Sequence, residues 1–185
     1  MNKVRFGIVG VGNMGSAHLR YIANHEISGA EVTAVCDING RRLKMAEELY
    51  PSIKLYSEMD AMLDSGLVDA VLIATPHYDH PPLAIKALEK GIHTLIEKPA
   101  GVYTKQVEQM NRAAEKSGLI FSIMYNQRTN PVYQKLRDLV LNGELGQLKR
   151  TNWIIDWYRP QSYYDSGGWR ATWAGEGGGV LLNQD

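Results

Sequence analysis

Cysteine is almost missing from this 185-residue chain: Cys36 stands alone, so no internal disulfide framework can form. Cys36 lies in a strand pattern and reads as a small buried hydrophobe. No Cys and His residues recur at zinc spacing, and no metal site is expected. Neither sign of charge is in excess, because 20 basic and 20 acidic residues cancel. Without a basic patch interleaved with aromatics, nothing argues for a nucleic-acid partner. No stretch is long enough to span a membrane. The N-terminus lacks the basic-then-apolar pattern of a secretory leader, since Val4 to Val9 is short and strand-like. Repeats and low-complexity tracts are absent. A soluble, cytoplasmic protein is expected. What is present is 44% hydrophobic residues, enough for a sizeable core, in a length that suits one full domain plus part of another.

Helical and strand patterns alternate over the first two thirds of the chain. The spacing predicts strands over 4–9, 31–36, 53–56, 68–74, 93–97 and 119–124. It predicts helices from Met14 on, over 39–50 and 59–63 (with Ser57 as the cap), and over 83–90 and 104–117, with a loop over 77–82. Strands alternating with helices imply an α/β fold with a doubly wound parallel sheet.

The first strand runs into Gly10-Val11-Gly12-Asn13-Met14-Gly15, a G-x-G-x-x-G turn that opens a helix with Met14, Leu19 and Ile22 as its apolar face. In chain order, the three glycines allow the tight turn, close approach to a pyrophosphate, and close helix–strand contact. The helix N-terminus offers free N–H groups to phosphates. The second strand ends in Asp37, the position expected to accept a ribose 2′-hydroxyl. Strand, turn, helix, strand and acid in this order point to a dinucleotide. Asp37 favours NAD. Arg41 and Arg42 follow closely and keep NADP open, although a solvated first helical turn is the plainer reading for at least one of them.

Glu97-Lys98-Pro99 closes the buried run His93-Thr94-Leu95-Ile96. In parallel sheets ligands bind beyond the carboxyl ends of the strands, so Lys98 stands where a cofactor would lie. Pro99 restricts Lys98 to extended geometry. On the tripeptide alone, an exposed Lys at a stopped strand is an equal reading; the glycine turn favours the site.

The pattern changes near Tyr125. A polar loop over 126–131 and a helix over 132–141 precede a long strand pattern over 148–158, with Trp153, Ile155 and Trp157 on one face. All four Trp residues lie between 153 and 173. These aromatics, with Arg128, Asp156, Arg159, Asp165 and Arg170 around them, suit a polyhydroxylated ligand. For any one of these aromatics, cover for a broad sheet face or a place in a subunit interface is the plainer reading.

Taken together, Gly10 to Gly15, Ala74-Thr75-Pro76 with His80, Glu97-Lys98-Pro99, Tyr125-Asn126-Gln127-Arg128, Trp169-Arg170 and Gly177-Gly178-Gly179 resemble the glucose–fructose oxidoreductase, inositol dehydrogenase and MocA family. The resemblance implies a Rossmann domain, residues 1–123, followed by the start of an α+β domain on an open, mostly antiparallel sheet, residues 124–185. It implies NAD(P)-dependent oxidation or reduction of sugars, inositols and related polyols, and a homo-oligomer at full length. Gly10, Gly12, Asn13, Met14, Gly15, Asp37 and Arg42 become cofactor candidates, with Ala74, Thr75, Pro76, His80, Glu97, Lys98 and Asn126. Lys98 becomes the catalytic candidate, and Lys98, Arg128, Trp169, Arg170 and Asn183 the substrate candidates. A cis Lys98–Pro99 peptide is also implied.

Many members carry an Asp four residues after the last glycine and a catalytic His four further on. Here Asn183 takes the Asp position, and the His would fall beyond Asp185. The chain therefore reads as a fragment, inactive on its own. His77 and His80 are weaker candidates for the base, while His18, His25 and His93 are expected to be structural parts of elements. Two alternatives to a dehydrogenase stay open: an NAD-dependent glycoside hydrolase that oxidises its sugar transiently, and a non-catalytic dinucleotide sensor.

Overall fold

Short runs of β-branched and apolar residues, flanked by amphipathic stretches, can satisfy their backbone groups only by pairing with one another under a cover of helices. The computed structural model describes residues 3–165 and 167–183. Its six strands are β1 (Val4–Val9), β2 (Ala30–Cys36), β3 (Lys54–Tyr56), β4 (Ala70–Ile73), β5 (His93–Glu97) and β6 (Phe121–Met124). They form one parallel sheet in the order β3-β2-β1-β4-β5-β6. The order reverses between β1 and β4, and this switch point opens a crevice at the strands' carboxyl ends.

Alternate residues of each strand face opposite sides of the sheet. Ile8, Val35 and Leu72 pack with Leu19 and Ile22 of α1 (Asn13–Ala23) and Ala46 of α2 (Gly40–Leu49). Val9, Ala34, Val71, Ile73 and Ile96 pack on the other face. Their partners there are Met62 of α3 (Met59–Leu63), Ala84 and Ala87 of α4 (His80–Glu89) and Met110 of α5 (Thr104–Ser117). Ile8, Met62, Ile73, Ile96 and Met110 are fully buried, each worth about 1.5–3 kcal/mol of transfer free energy. Gly118, at φ 65°, ends α5 in the left-handed conformation that a residue with a Cβ resists.

The chain divides into two units, one of Met1–Met124 with Ala171–Asp185 and one of Tyr125–Arg170. The second carries α6 (Pro131–Leu141) and the short α7 (Gln161–Asp165); the first also carries α8 (Trp173–Glu176) and α9 (Val180–Asn183).

Several expectations need correction. α4 begins at His80, not Leu83, with a 3₁₀ turn over His77–Asp79 before it. Pro81 and Pro82 suit a first helical turn, where no N–H is needed. Glu58, not Ser57, precedes α3 as its cap, and no side chain bonds there. Met14 is half exposed rather than part of the apolar face. His25 lies in the turn after α1 with φ 62°, not on an element. The largest difference is the segment 148–158, which forms no strand. Backbone groups adopt extended pairing only against a partner, and no strand is found among the described residues of the second unit. The expected start of an antiparallel sheet is therefore not seen there.

Candidate active site at the sheet switch point

The turn after β1 is built by glycine where nothing else fits. Gly10 has φ 83°, and its N–H donates to the Cys36 carbonyl at 2.8 Å. A Cβ on Gly15 would lie 1.8 Å from the Gly10 carbonyl oxygen, so α1 can approach the turn only because that position is bare. Gly12 differs: a Cβ there would find only Arg42 Nη1, at 3.8 Å. The space over Gly12 is open, and no side chain caps α1. That leaves the helix end to an outside acceptor.

Asp37, at the end of β2, is buried and tied to the turn itself. Its Oδ2 accepts from Val11 N at 2.8 Å and its Oδ1 from Asn39 N at 2.8 Å, with Arg42 Nη1 at 3.5 Å from Oδ2. Each carboxylate oxygen keeps further acceptor capacity. Sequence reasoning missed this bracing role, and nothing in the spacing signals it. Next to it, burial first and the Asp37 charge second push the Cys36 thiol up to about 11.

The loop after β4 faces the glycine turn across the switch point, since a Cβ on Gly10 would touch the Ala74 carbonyl and the Thr75 methyl. Thr75 Oγ1 is buried with no hydrogen-bond partner among the described residues. An orphaned hydroxyl beside an open, uncapped helix end fits the phosphates and ribose of a dinucleotide. Pro76 lies exposed at the start of the 3₁₀ turn. His80 is fully buried, and its ring nitrogens face the carbonyls of Pro99 at 2.8 Å and Thr75 at 2.9 Å. It thus joins the loops after β4 and β5.

Glu97 and Lys98 close β5. Glu97 is buried, its Oε1 lies 2.6 Å from His18 Nε2, and its Oε2 accepts from Lys98 N at 3.1 Å. His18 on α1, expected to be merely structural, thus reaches the site. Its place three residues after Gly15, on the same helix face, was the available signal. The Lys98–Pro99 peptide is cis, as the resemblance implies. Lys98 Nζ donates to the backbone carbonyl of Asn183 and to its Oδ1 at 2.9 Å. Asn183 Nδ2 donates to Glu176 Oε1 at 2.8 Å, and Glu176 Oε2 accepts from Ala171 N at 2.8 Å. His77 Nδ1 lies 3.1 Å from the Glu176 carbonyl, to which it donates. Burial pulls His77 below its ordinary range, against the opposing pull of that hydrogen bond. Glu176 is a buried residue of this site that sequence reasoning did not single out.

Four candidates belong to the second unit. Asn126 lies in its opening 3₁₀ turn, and Arg128 stacks over Tyr125 at 5.6 Å. Arg170 stacks over Tyr163 at 4.5 Å and over Trp169 at 4.6 Å, and its Nη1 donates to Tyr163 Oη at 2.9 Å. Arg159 lies over Trp157 and Tyr163 at 5.3 and 5.1 Å. Among the described residues, no group of three or more His, Cys, Asp or Glu side chains could hold a metal ion, and no helix is long and apolar enough to cross a membrane.

Sheet order, glycine turn, orphaned Thr75 hydroxyl and terminal Asp37 make a Rossmann-type α/β site that fits a dinucleotide. The chain belongs to the GFO/IDH/MocA family: residues 4–125 match its oxidoreductase, NAD-binding Rossmann fold and residues 133–184 its C-terminal domain. Among curated relatives, the rhizopine catabolism protein MocA of Rhizobium meliloti is 33% identical over 99% of this chain and 54% of its own length. Inositol 2-dehydrogenase of Salmonella typhimurium is 33% identical over 78% of this chain and 43% of that protein. The chain thus spans about half the length of the curated relatives it matches. Among solved structures, the WlbA dehydrogenase of Bordetella pertussis, in complex with NADH and UDP-GlcNAcA, superposes with a TM-score of 0.90 at 32% identity, over 99% of this chain and 56% of that one. The scyllo-inositol dehydrogenase of Lactobacillus casei, with NAD(H) and scyllo-inositol, gives 0.74 at 26% identity, over 79% and 43%.

Proposed function

We propose that the protein carrying this chain is an NAD-dependent dehydrogenase that acts on a CH–OH group of a sugar, inositol or related polyol. The observation that carries this reading is Lys98: a cation at the carboxyl end of β5, held by Asn183 beside a dinucleotide-type glycine turn. The inositol 2-dehydrogenase, WlbA dehydrogenase and scyllo-inositol dehydrogenase among its relatives support this reading over a hydrolase or a sensor. Between a sugar and an inositol, the sugar leads, because the WlbA dehydrogenase, in complex with UDP-GlcNAcA, matches 99% of this chain against 79% for the scyllo-inositol dehydrogenase.

Bound nicotinamide supplies hydride acceptance and donation. The chain's own residues do the rest. The uncapped start of α1 and the open space over Gly12 receive the pyrophosphate, with Asn13 and Met14 beside it, and Thr75 Oγ1 gains a partner. Asp37 accepts from the adenine ribose and repels a 2′-phosphate, so NAD is preferred; Arg42 is the residue through which NADP would be tolerated. Lys98 donates a hydrogen bond to the reacting oxygen and steadies charge as it develops there. The second unit, with Asn126, Arg128, Trp169 and Arg170, begins the substrate domain of a homo-oligomer. A cytoplasmic location belongs to the same reading. The test is a panel of inositols, free sugars and a nucleotide-linked sugar acid offered with NAD to the full-length protein. Reduction of NAD by one of them supports the reading, and reduction by none refutes it.

A further inference from the structure

Asn183 stands where the family resemblance expects Asp, and the structure gives a physical reason for the exchange. The Asn183 amide meets an ammonium on one side and a carboxylate on the other: Oδ1 accepts from Lys98 Nζ at 2.9 Å, and Nδ2 donates to Glu176 Oε1 at 2.8 Å. Only one orientation satisfies both contacts. Turned over, the amide would set NH₂ against the ammonium and oxygen against the carboxylate. A carboxylate in place of this amide would lie at hydrogen-bond distance from that of Glu176, where both cannot stay ionised.

Glu176 is itself fixed. It is 7% exposed, and its second oxygen accepts from Ala171 N at 2.8 Å. Its carbonyl accepts from His77 Nδ1 at 3.1 Å. The following Gly177 has φ 76°, and a Cβ there would run into Val102 at 2.2 Å, so the turn is pressed onto the loop after β5. α8 therefore delivers a carboxylate to a set place behind Asn183.

We propose that Glu176 is a positioning residue for Lys98. By holding the Asn183 amide in one orientation, it gives the ammonium a neutral acceptor and keeps its own negative charge one residue away from the reacting amine. This deepens the dehydrogenase reading and rests on it for the role of Lys98. Glu97 on β5, His18 on α1 behind it, and His77 after β4 also lie around Lys98 and stay unchanged in the test.

The hydrogen-bond pattern admits one exchange that repairs itself, the double substitution Glu176→Gln with Asn183→Asp. Its new amide oxygen accepts from Ala171 N, and its new NH₂ donates to one oxygen of the new carboxylate. The other oxygen of that carboxylate accepts from Lys98. Glu176→Gln alone loses this, because the Asn183 amide must turn and present NH₂ to Lys98. Asn183→Asp alone places two carboxylates together. The experiment compares these three variants with wild type in the full-length protein. The readouts are the unfolding midpoint, acetylation of Lys98 by acetic anhydride read by peptide mass spectrometry, NAD binding and turnover. Both single variants unfold earlier than wild type, and the double variant recovers toward it. Lys98 is acetylated severalfold faster in Glu176→Gln. In the double variant it is acetylated severalfold more slowly, because a directly bonded carboxylate favours the charged ammonium over the reactive free amine. Turnover of Glu176→Gln falls about tenfold or more, while its Kd for NAD stays within about threefold. If Glu176→Gln keeps wild-type acetylation and turnover, the proposal is overturned. If a single variant fails to fold, the double must fold; a double variant no better than the sum of the singles also overturns it. Failure of the dehydrogenase reading alone shows differently: wild type turns over nothing, while the acetylation and unfolding order persists.

Discussion

A methyl group at Gly15 and a methyl group at Gly12 should fail in different ways, and the contrast tests what the glycine turn is for. In Gly15→Ala the new Cβ would sit 1.8 Å from the Gly10 carbonyl oxygen and 3.4 Å from Ala74 Cβ. The nearest atom is backbone and cannot rotate aside, so α1 must retreat by more than about 1 Å from the turn. Retreat pulls Leu19 and Ile22 away from Ile8, Val35 and Leu72. Overpacking with that loss costs about 3 kcal/mol, a fall in Tm of about 10 °C for a chain of this size. In Gly12→Ala the nearest atom is Arg42 Nη1 at 3.8 Å, the end of a flexible side chain. The stability change stays within about 1 kcal/mol, the ordinary cost of Ala in place of Gly at a helix cap. Here the methyl blocks the approach of the pyrophosphate instead. Loss of one charge-assisted contact, about 1.5–3 kcal/mol, weakens NAD about 10- to 100-fold. Thermal melts and calorimetric titration of NAD read both effects. A Gly12→Ala variant that binds NAD as wild type does would refute the placement of the cofactor. A Gly15→Ala variant with wild-type Tm would refute the close packing of α1 on the turn.

Asp37→Ala removes the acceptor of Val11 N and Asn39 N and leaves Arg42 without its carboxylate, so the preference for NAD over NADP should narrow or reverse while stability falls; tighter NADP than NAD binding by wild type would contradict the ribose assignment. Lys98→Ala in the full-length protein should lower kcat by roughly 10²-fold or more, with a smaller change in NAD binding, as expected of a positioned proton-handling group. Cys36, buried and pushed up to about 11, should resist a thiol reagent at pH 8 until the protein unfolds. Because its folded value is raised, its contribution to stability is complete below pH 9.0, the unfolded value, and is lost as pH climbs toward about 11. Expressed alone, residues 1–185 should self-associate in light scattering, since Trp153, Ile154, Trp157 and Tyr158 lie exposed.

β1 and α5 match their expected bounds residue for residue, because local signals fix both. The β-branched run of β1 stops at Gly10, and the amphipathic α5 stops at Gly118. The start of α4 departs from expectation because Pro81 and Pro82 read as a loop, although proline suits a helix's first turn as well. The segment 148–158 has a strand's alternation but no ladder partner among the described residues, and alternation alone does not make a strand. At the site, residue types at the ends of strands were legible: Asp37, Thr75, Glu97 and Lys98 all lie at the carboxyl end of the sheet. What sequence could not reveal is which backbone groups fold back onto them. The bracing of Val11 and Asn39 by Asp37, the His18–Glu97 contact and the chain from Glu176 through Asn183 to Lys98 join residues 26 to 85 positions apart in all but two cases. Such contacts depend on how loops close over the switch point, and no local pattern encodes that closure.

If this chain carries the cofactor site and the reacting Lys of an NAD-dependent polyol or sugar dehydrogenase, Lys98 must set the rate of hydride transfer. The absorbance of reduced nicotinamide is followed when the full-length protein and its Lys98→Ala variant meet NAD and the substrate panel. Wild type should form NADH steadily with at least one sugar or polyol, and the variant should do so about 10²-fold more slowly. Equal rates in the two proteins, or no NADH from wild type with any member of the panel, would contradict it.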